Sequence, residues 1–217
     1  MGYEVKNLNQ QILKFNYEQN FKHQDFYVSK SNVYSFKLLN SWPKWEKNFV
    51  NLIGENFSGK SHLINIFLKN FKGIKISAKK ISNGFLKEIK IYENIILEDL
   101  NKNIDENLLF TLINTIEQDN KYLIVTSTKP IVEFKFTLQD LNSRSKNFLL
   151  STIEKPEDDL MYALILKNLS DRQISIDKKL IDFIIKRISR SYGKISDFIY
   201  KIDEISLKRK KPIDFKI

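Results

Sequence analysis

Gly54-Glu55-Asn56-Phe57-Ser58-Gly59-Lys60-Ser61 reads G-x-x-x-x-G-K-[ST]. It follows the short apolar run Phe49 to Ile53 and precedes a helical pattern in which Leu63, Ile66, Phe67 and Phe71 share one stripe. Strand, loop and helix in that order are what a phosphate-cradling loop demands. The glycines let backbone N–H groups turn inward around phosphate oxygens, and the helix N-terminus adds its positive pole. Lys60 reaches the outer phosphates and the Ser61 hydroxyl ligates magnesium. The whole loop, Gly54 through Ser61, is therefore a candidate nucleotide site, against the alternative of an accidental Gly-rich turn.

Working outward, apolar stretches bounded by polar turns alternate with helical patterns from Asn48 onward, the rhythm of βαβ units. Ile74 to Ser77, Asn94 to Glu98 and Tyr122 to Ser127 read as further strands, and Leu108 to Ile116 as a helix. Leu138 to Ser145 has a helical pattern and leads to a last strand near Phe148 to Ser151. Such strands are expected to be parallel and covered on both faces. After Pro156 three helices are predicted, Glu157 to Leu169, Asp177 to Ser189 and Lys194 to Lys208. The expected organisation is an extended arm over residues 1–25, an α/β nucleotide-binding core over 26–155 and a helical lid over 156–217.

Ile95-Ile96-Leu97-Glu98-Asp99 is an apolar strand ending in two carboxylates. After a phosphate loop, that arrangement holds magnesium and orients attacking water. By order Glu98 is the metal-side residue and Asp99 the water-side one; a plain acidic turn is the alternative. Thr126-Ser127-Thr128 closes the fourth strand, where Thr128 either senses an outer phosphate or serves local hydrogen bonding. Arg144, one of five Arg in a Lys-rich chain, ends the helix before the last strand. It is either a surface residue or a planar fork for a neighbouring subunit's phosphate. His62 reads as a packing histidine. In the arm, Gln10 followed by Leu13 and Phe15 resembles a short peptide that docks apolar anchors into a partner's groove, or else packs on its own domain.

Composition bounds the chemistry. Zero Cys excludes disulfides, thiolate catalysis and Cys-based metal sites, and two His leave little for a histidine centre. Runs such as Ile95 to Leu97 and Tyr122 to Val125 are far shorter than the roughly 20 residues of a membrane span. An intracellular, reducing compartment is the expectation, with no membrane partner. The net charge of +10 suits a nucleic-acid partner if the lysines share a face, or reflects a general Lys, Asn and Ile bias.

The motifs GKSHL, ILEDL, TSTKP and LNSR, with FYVSKSN upstream, resemble the AAA+ module of the DnaA initiators, and in particular their short Hda-type relatives in the alphaproteobacterial form. The resemblance covers nearly the whole chain. It implies an AAA+ core with a small all-α lid, bound ADP or ATP with Mg2+, and DnaA and the DNA polymerase III sliding clamp as partners. A homo-oligomer is possible on this reading, DNA is met indirectly through the clamp, and the protein is cytoplasmic and nucleoid-associated. The resemblance makes Gln10, Leu13 and Phe15 the clamp contacts, with Gln11 where the motif prefers Leu. It brings Val28 and Asn32 near the adenine, assigns phosphate and magnesium to Lys60 and Ser61, and makes Arg144 the arginine finger. Its lid arginine falls at Gly193, with Arg190 one turn earlier and Lys194 adjacent. No DNA-binding domain follows the lid in this sequence, which favours the Hda-type reading over an initiator. A helicase-loader type of ATPase and a non-hydrolysing nucleotide-bound scaffold are the alternatives.

Overall fold

The computed structural model describes residues 26–174 and 176–209. Five parallel strands form one sheet: β1 (Phe49–Ile53), β2 (Gly73–Ser77), β3 (Asn94–Leu100), β4 (Tyr122–Ser127) and β5 (Leu149–Thr152), in the spatial order β2-β3-β4-β1-β5. The crossovers are α2 (Lys60–Asn70), α3 (Asn83–Glu88), α4 (Glu106–Gln118) and α5 (Gln139–Ser145), while α1 (Val33–Asn40) precedes β1. After β5 come α6 (Asp158–Asp171), α7 (Lys178–Ile185) and α8 (Tyr192–Arg209).

Strand alternation divides the interior into two layers. Ile95, Leu97, Leu123 and Val125 point to α4 and bury Leu109, Leu112, Ile113 and Ile116. Val50, Leu52, Ile96 and Ile124 point the other way, onto Leu63, Ile64 and Phe67 of α2. The interior strand β1, between β4 and β5, is buried over its whole length because both faces are covered. The last three helices close on a cluster of their own around Met161, Ile165, Leu169, Ile181, Ile195 and Ile199. They meet the α2 layer through Leu160 and Tyr192.

One polar residue interrupts β1. Asn51 is fully buried, and its amide donates to the Val125 carbonyl at 3.0 Å and the Ser127 hydroxyl at 2.8 Å. Its oxygen accepts the Ile131 N–H at 2.7 Å. The bonds fasten the turn after β4 to the middle of the sheet, so the residues leaving β4 emerge beside the loop that leaves β1. The adjoining Gly54 N–H donates to the Ser127 carbonyl at 3.1 Å. Replacing Asn51 with Ala strands the buried Ile131 N–H. The expected loss is about 2–4 kcal/mol, read as a lower midpoint in denaturant-induced unfolding.

Candidate nucleotide site

The loop after β1 begins at Gly54, where an added Cβ would lie 2.5 Å from the Ser58 hydroxyl and 3.3 Å from the Ile153 Cβ, so a side chain there would force Ser58 to shift. Phe57 has φ +67° and is exposed, a left-handed conformation that glycine adopts more cheaply than an aromatic residue. Gly59, at φ +92°, turns the chain into α2. The first helical residue, Lys60, is buried and folds back over the loop. Its ammonium donates to the carbonyls of Gly54 at 2.7 Å and Glu55 at 2.9 Å. Burial pulls the Lys60 pKa below its ordinary 10.5, and Asp99 first, then Glu55, partly oppose that by attraction.

The acid pair diverges. Glu98 continues the alternation of β3 onto the α2 side and lies 3.6 Å from the Lys75 ammonium. Asp99 sits in a β-bulge at φ +60°, exposed, with its N–H donated to the Thr126 hydroxyl at 2.9 Å. The bulge breaks the strand's period of two, so both carboxylates reach the nucleotide end of the sheet and take different directions. Of the Thr126-Ser127-Thr128 run, Thr126 and not Thr128 is the buried residue that holds Asp99; Thr128 is exposed in the turn beyond. The signal for Thr126 was its place inside the apolar run of β4.

The segment before α1 lies over the loop. Phe26 stacks on Phe36 and meets the edge of His62, which makes His62 a packing residue in this corner. Val28 is exposed. Asn32 is buried with its amide committed to the local turn, accepting from Ser29 N–H and donating to the Tyr27 carbonyl, both at 2.9 Å. Its work here is to shape the loop that carries Val28.

From the lid side, Glu55 is the unforeseen residue. Its carboxylate accepts the Ser191 hydroxyl at 3.0 Å and the Tyr192 backbone N–H, capping α8 from the phosphate loop. The Tyr192 hydroxyl in turn donates to the Glu154 carbonyl at 3.1 Å. Arg190 is exposed and pairs with Asp158 at 3.0 Å, within the lid. Gly193 has open space where a side chain would project, the nearest atom being the Ser191 hydroxyl at 3.6 Å.

Two buried side-chain atoms with no hydrogen-bond partner, the Ser58 hydroxyl and Glu98 Oε1, belong to this site. Buried polar atoms are ordinarily paired, and in a loop that presents backbone N–H groups they fit a phosphate and its cation. The residues present thus suit a nucleotide, with Ser61 and Glu98 on the metal side. Among the described residues no cluster of three or more His, Asp or Glu offers another metal site.

Arg144 lies at the other end of the sheet. It ends α5, pairs with Glu117 at the end of α4, and stands over the Phe110 ring at 5.5 Å. Two shallow hollows flank the pair, one lined by Phe49, Glu117 and Asn147, the other by Phe110, Asp140 and Arg144. Phe49 begins β1 and the phosphate loop follows its end. At a rise of about 3.3 Å per residue, Arg144 and the loop are separated by roughly 15 Å or more. Gln10, Leu13 and Phe15 lie outside the described residues.

The chain is 26% identical over 197 residues to the chromosomal replication initiator DnaA of Helicobacter hepaticus, covering 79% of this chain and 42% of that protein. This is homology to the DnaA initiators. The DnaA of Borreliella afzelii matches at 22% identity over 226 residues, 92% of this chain and 46% of its own length. The chain thus spans less than half the length of these curated relatives. No protein-family model matches it. Among solved structures, domain III of Thermotoga maritima DnaA superimposes with a TM-score of 0.71 at 16% identity, covering 90% of this chain and 92% of that one. A RuvB variant from the same organism gives 0.69 at 13% identity, with coverage of 89% and 68%. AMPPCP-bound DnaA from Aquifex aeolicus gives 0.66 at 18%, with coverage of 86% and 67%. The fold is therefore that of an AAA+ P-loop module with a helical lid.

Glu55→Ala removes the cap on α8. The expected result is a loss of about 1 kcal/mol and faster amide exchange at Tyr192, with exchange in the β1 core unchanged. Lys60 gives a pH signature. A bound phosphate favours its charged form and raises its pKa, so nucleotide binding takes up protons as the pH approaches the lowered value. ADP affinity should fall with rising pH before 10.5 is reached. Calorimetry in buffers of different ionisation enthalpy reads both effects; pH-independent affinity would count against the assignment.

Proposed function

We propose that this protein is an Hda-like negative regulator of replication initiation, one that stimulates hydrolysis of DnaA-bound ATP. Adenine nucleotide with Mg2+ occupies the loop from Gly54 to Ser61, and the arm engages the DNA polymerase III sliding clamp through Gln10, Leu13 and Phe15. DNA contact is then indirect, through the clamp.

The observation that carries this reading is the place of Arg144. Its guanidinium stands at the end of the sheet opposite its own phosphate loop, so any phosphate it reaches belongs to another molecule. A planar, always-charged fork suits the negative charge that spreads over a transferring phosphoryl group. Glu117 orients it at the surface until a partner arrives. In this chain's own site, Lys60 binds the phosphates and Asp99 faces the water side, while Arg190 is held by Asp158. Magnesium, when bound, neutralises phosphate charge. That division of labour favours a nucleotide-bound platform whose catalytic contribution is made in trans.

A second reading is favoured by the distribution of charge. Seven Lys lie between residues 69 and 90 against the single acid Glu88, all seven are exposed, and they surround the edge strand β2. A loader-type ATPase that touches single-stranded DNA directly would use this edge, and its binding would weaken steeply with salt.

Hydrolysis of ATP preloaded on DnaA, followed with and without DNA-loaded clamp, separates the readings. The regulator predicts clamp-dependent stimulation that disappears when Gln10, Leu13 and Phe15 are changed together to Ala. Arg144→Ala should abolish stimulation and leave clamp binding intact. Stimulation indifferent to clamp and arm, with salt-sensitive DNA binding in the absence of clamp, would favour the loader.

A further inference from the structure

Glu98 stands where a metal-side carboxylate is expected, and its two oxygens differ. Oε1 is buried without a hydrogen-bond partner, whereas Oε2 lies 3.6 Å from the Lys75 ammonium. Lys75 belongs to the edge strand β2, opposite Ile96 in the parallel register, while Ser77 stands opposite Glu98. Lys75 and Glu98 are therefore diagonal neighbours on one face of the sheet, a spacing that long side chains bridge. That face is the one covered by α2.

The ammonium is also aimed. It donates to Asn65 Oδ1 at 2.7 Å. Asn65 lies four residues after Ser61 on α2, so the two share a face of the helix. Lys75 is thus braced from the same helix surface that presents the metal-side hydroxyl. The additional methylene of Glu, compared with Asp, gives Oε2 the reach toward the edge strand.

Resting on the nucleotide-site reading, we propose that Lys75 is a built-in counter-cation for Glu98 and sets how strongly Mg2+ contributes to nucleotide binding. A compact ammonium beside the carboxylate offsets its charge when the metal is absent. A divalent ion arriving on Glu98 either displaces that ammonium or binds beside a positive charge. Magnesium keeps most of its waters and takes only one or two carboxylates in nucleotide sites, so a half-neutralised carboxylate is a substantial handicap. Lys75 is a positioning residue in this account, acting on the metal through Glu98.

The test measures the affinity of the intact protein for a fluorescent ADP analogue, in EDTA and in Mg2+, and takes the ratio. In the native protein Mg2+ should tighten binding only slightly. Lys75→Gln should enlarge the Mg2+ enhancement about fivefold or more, the scale of a partly exposed ion pair at close range. Lys75→Arg keeps the charge and should retain the native ratio. Glu98→Gln should remove the enhancement from both the native protein and the Lys75→Gln variant. Thermal melting confirms that each variant is folded, which the exposure of Lys75 favours. An unchanged ratio in folded Lys75→Gln that still binds ADP overturns the role of Lys75 alone. Absence of ADP binding in every protein, native included, overturns the nucleotide-site reading and this inference with it.

Discussion

A buried ammonium organises this molecule. Lys60 has left most of its water behind, and in exchange it holds the carbonyls of Gly54 and Glu55 and draws on the charges of Asp99 and Glu55. An isolated buried cation is costly, so the loop wraps it and Asp99, at the end of β3, offsets its charge. Each neighbour depends in turn on something more remote. Asp99 is set by a bulge pinned to Thr126, and the exit of β4 is fastened by Asn51. Glu55 reaches onward to α8, so the loop proposed to cradle phosphate is also the loop that holds the lid. A ligand that rearranges the Lys60 contacts consequently acts on the lid through a single residue.

The same architecture separates two chemical roles. The strands are parallel, so the loops at their carboxyl ends gather at the phosphate-loop end of the sheet and the elements at their amino ends lie at the opposite end. Arg144 belongs to the second group. A cation clasped by Glu117 and seated on Phe110 is kept extended at modest cost, since half-exposed ion pairs contribute little and exchange easily for a stronger anion. The geometry suits a module that binds nucleotide for its own conformation and delivers its arginine elsewhere.

Much of this was legible in the sequence, for physical reasons that differ from element to element. β1 and β4 could be bounded to the residue because each is a short apolar run cut off by turn residues. The phosphate loop was unmistakable since spacing and flanks agree. The helix at Val33–Asn40 was not visible: its pattern is weakly amphipathic, and tertiary contacts hold it, among them the buried hydrogen bond between Ser35 and Ser151 at 2.8 Å. The six-residue helix at Asn83–Glu88, which opens on Asn-Gly, carries turn signals and was likewise missed. Within the site, the motif named Glu55 and Phe57 only as loop positions. That the first caps a helix 137 residues later and the second occupies a glycine-like conformation follows from chain geometry, which spacing does not encode. The pairing of Arg190 with Asp158 likewise depends on where the connection between α7 and α8 meets the start of α6.

The central claim is that Arg144 works on a nucleotide held by another molecule. The chain has no Cys, so a single label can be introduced at Asn147, in the hollow that Arg144 shares, without touching the arginine. Pulsed electron paramagnetic resonance between that label and spin-labelled ATP preloaded on DnaA, in the presence of DNA-loaded clamp, measures the relation directly. The account predicts a short distance to the DnaA-bound nucleotide, lost when the clamp is omitted. A coupling seen only to nucleotide in this chain's own loop would contradict it.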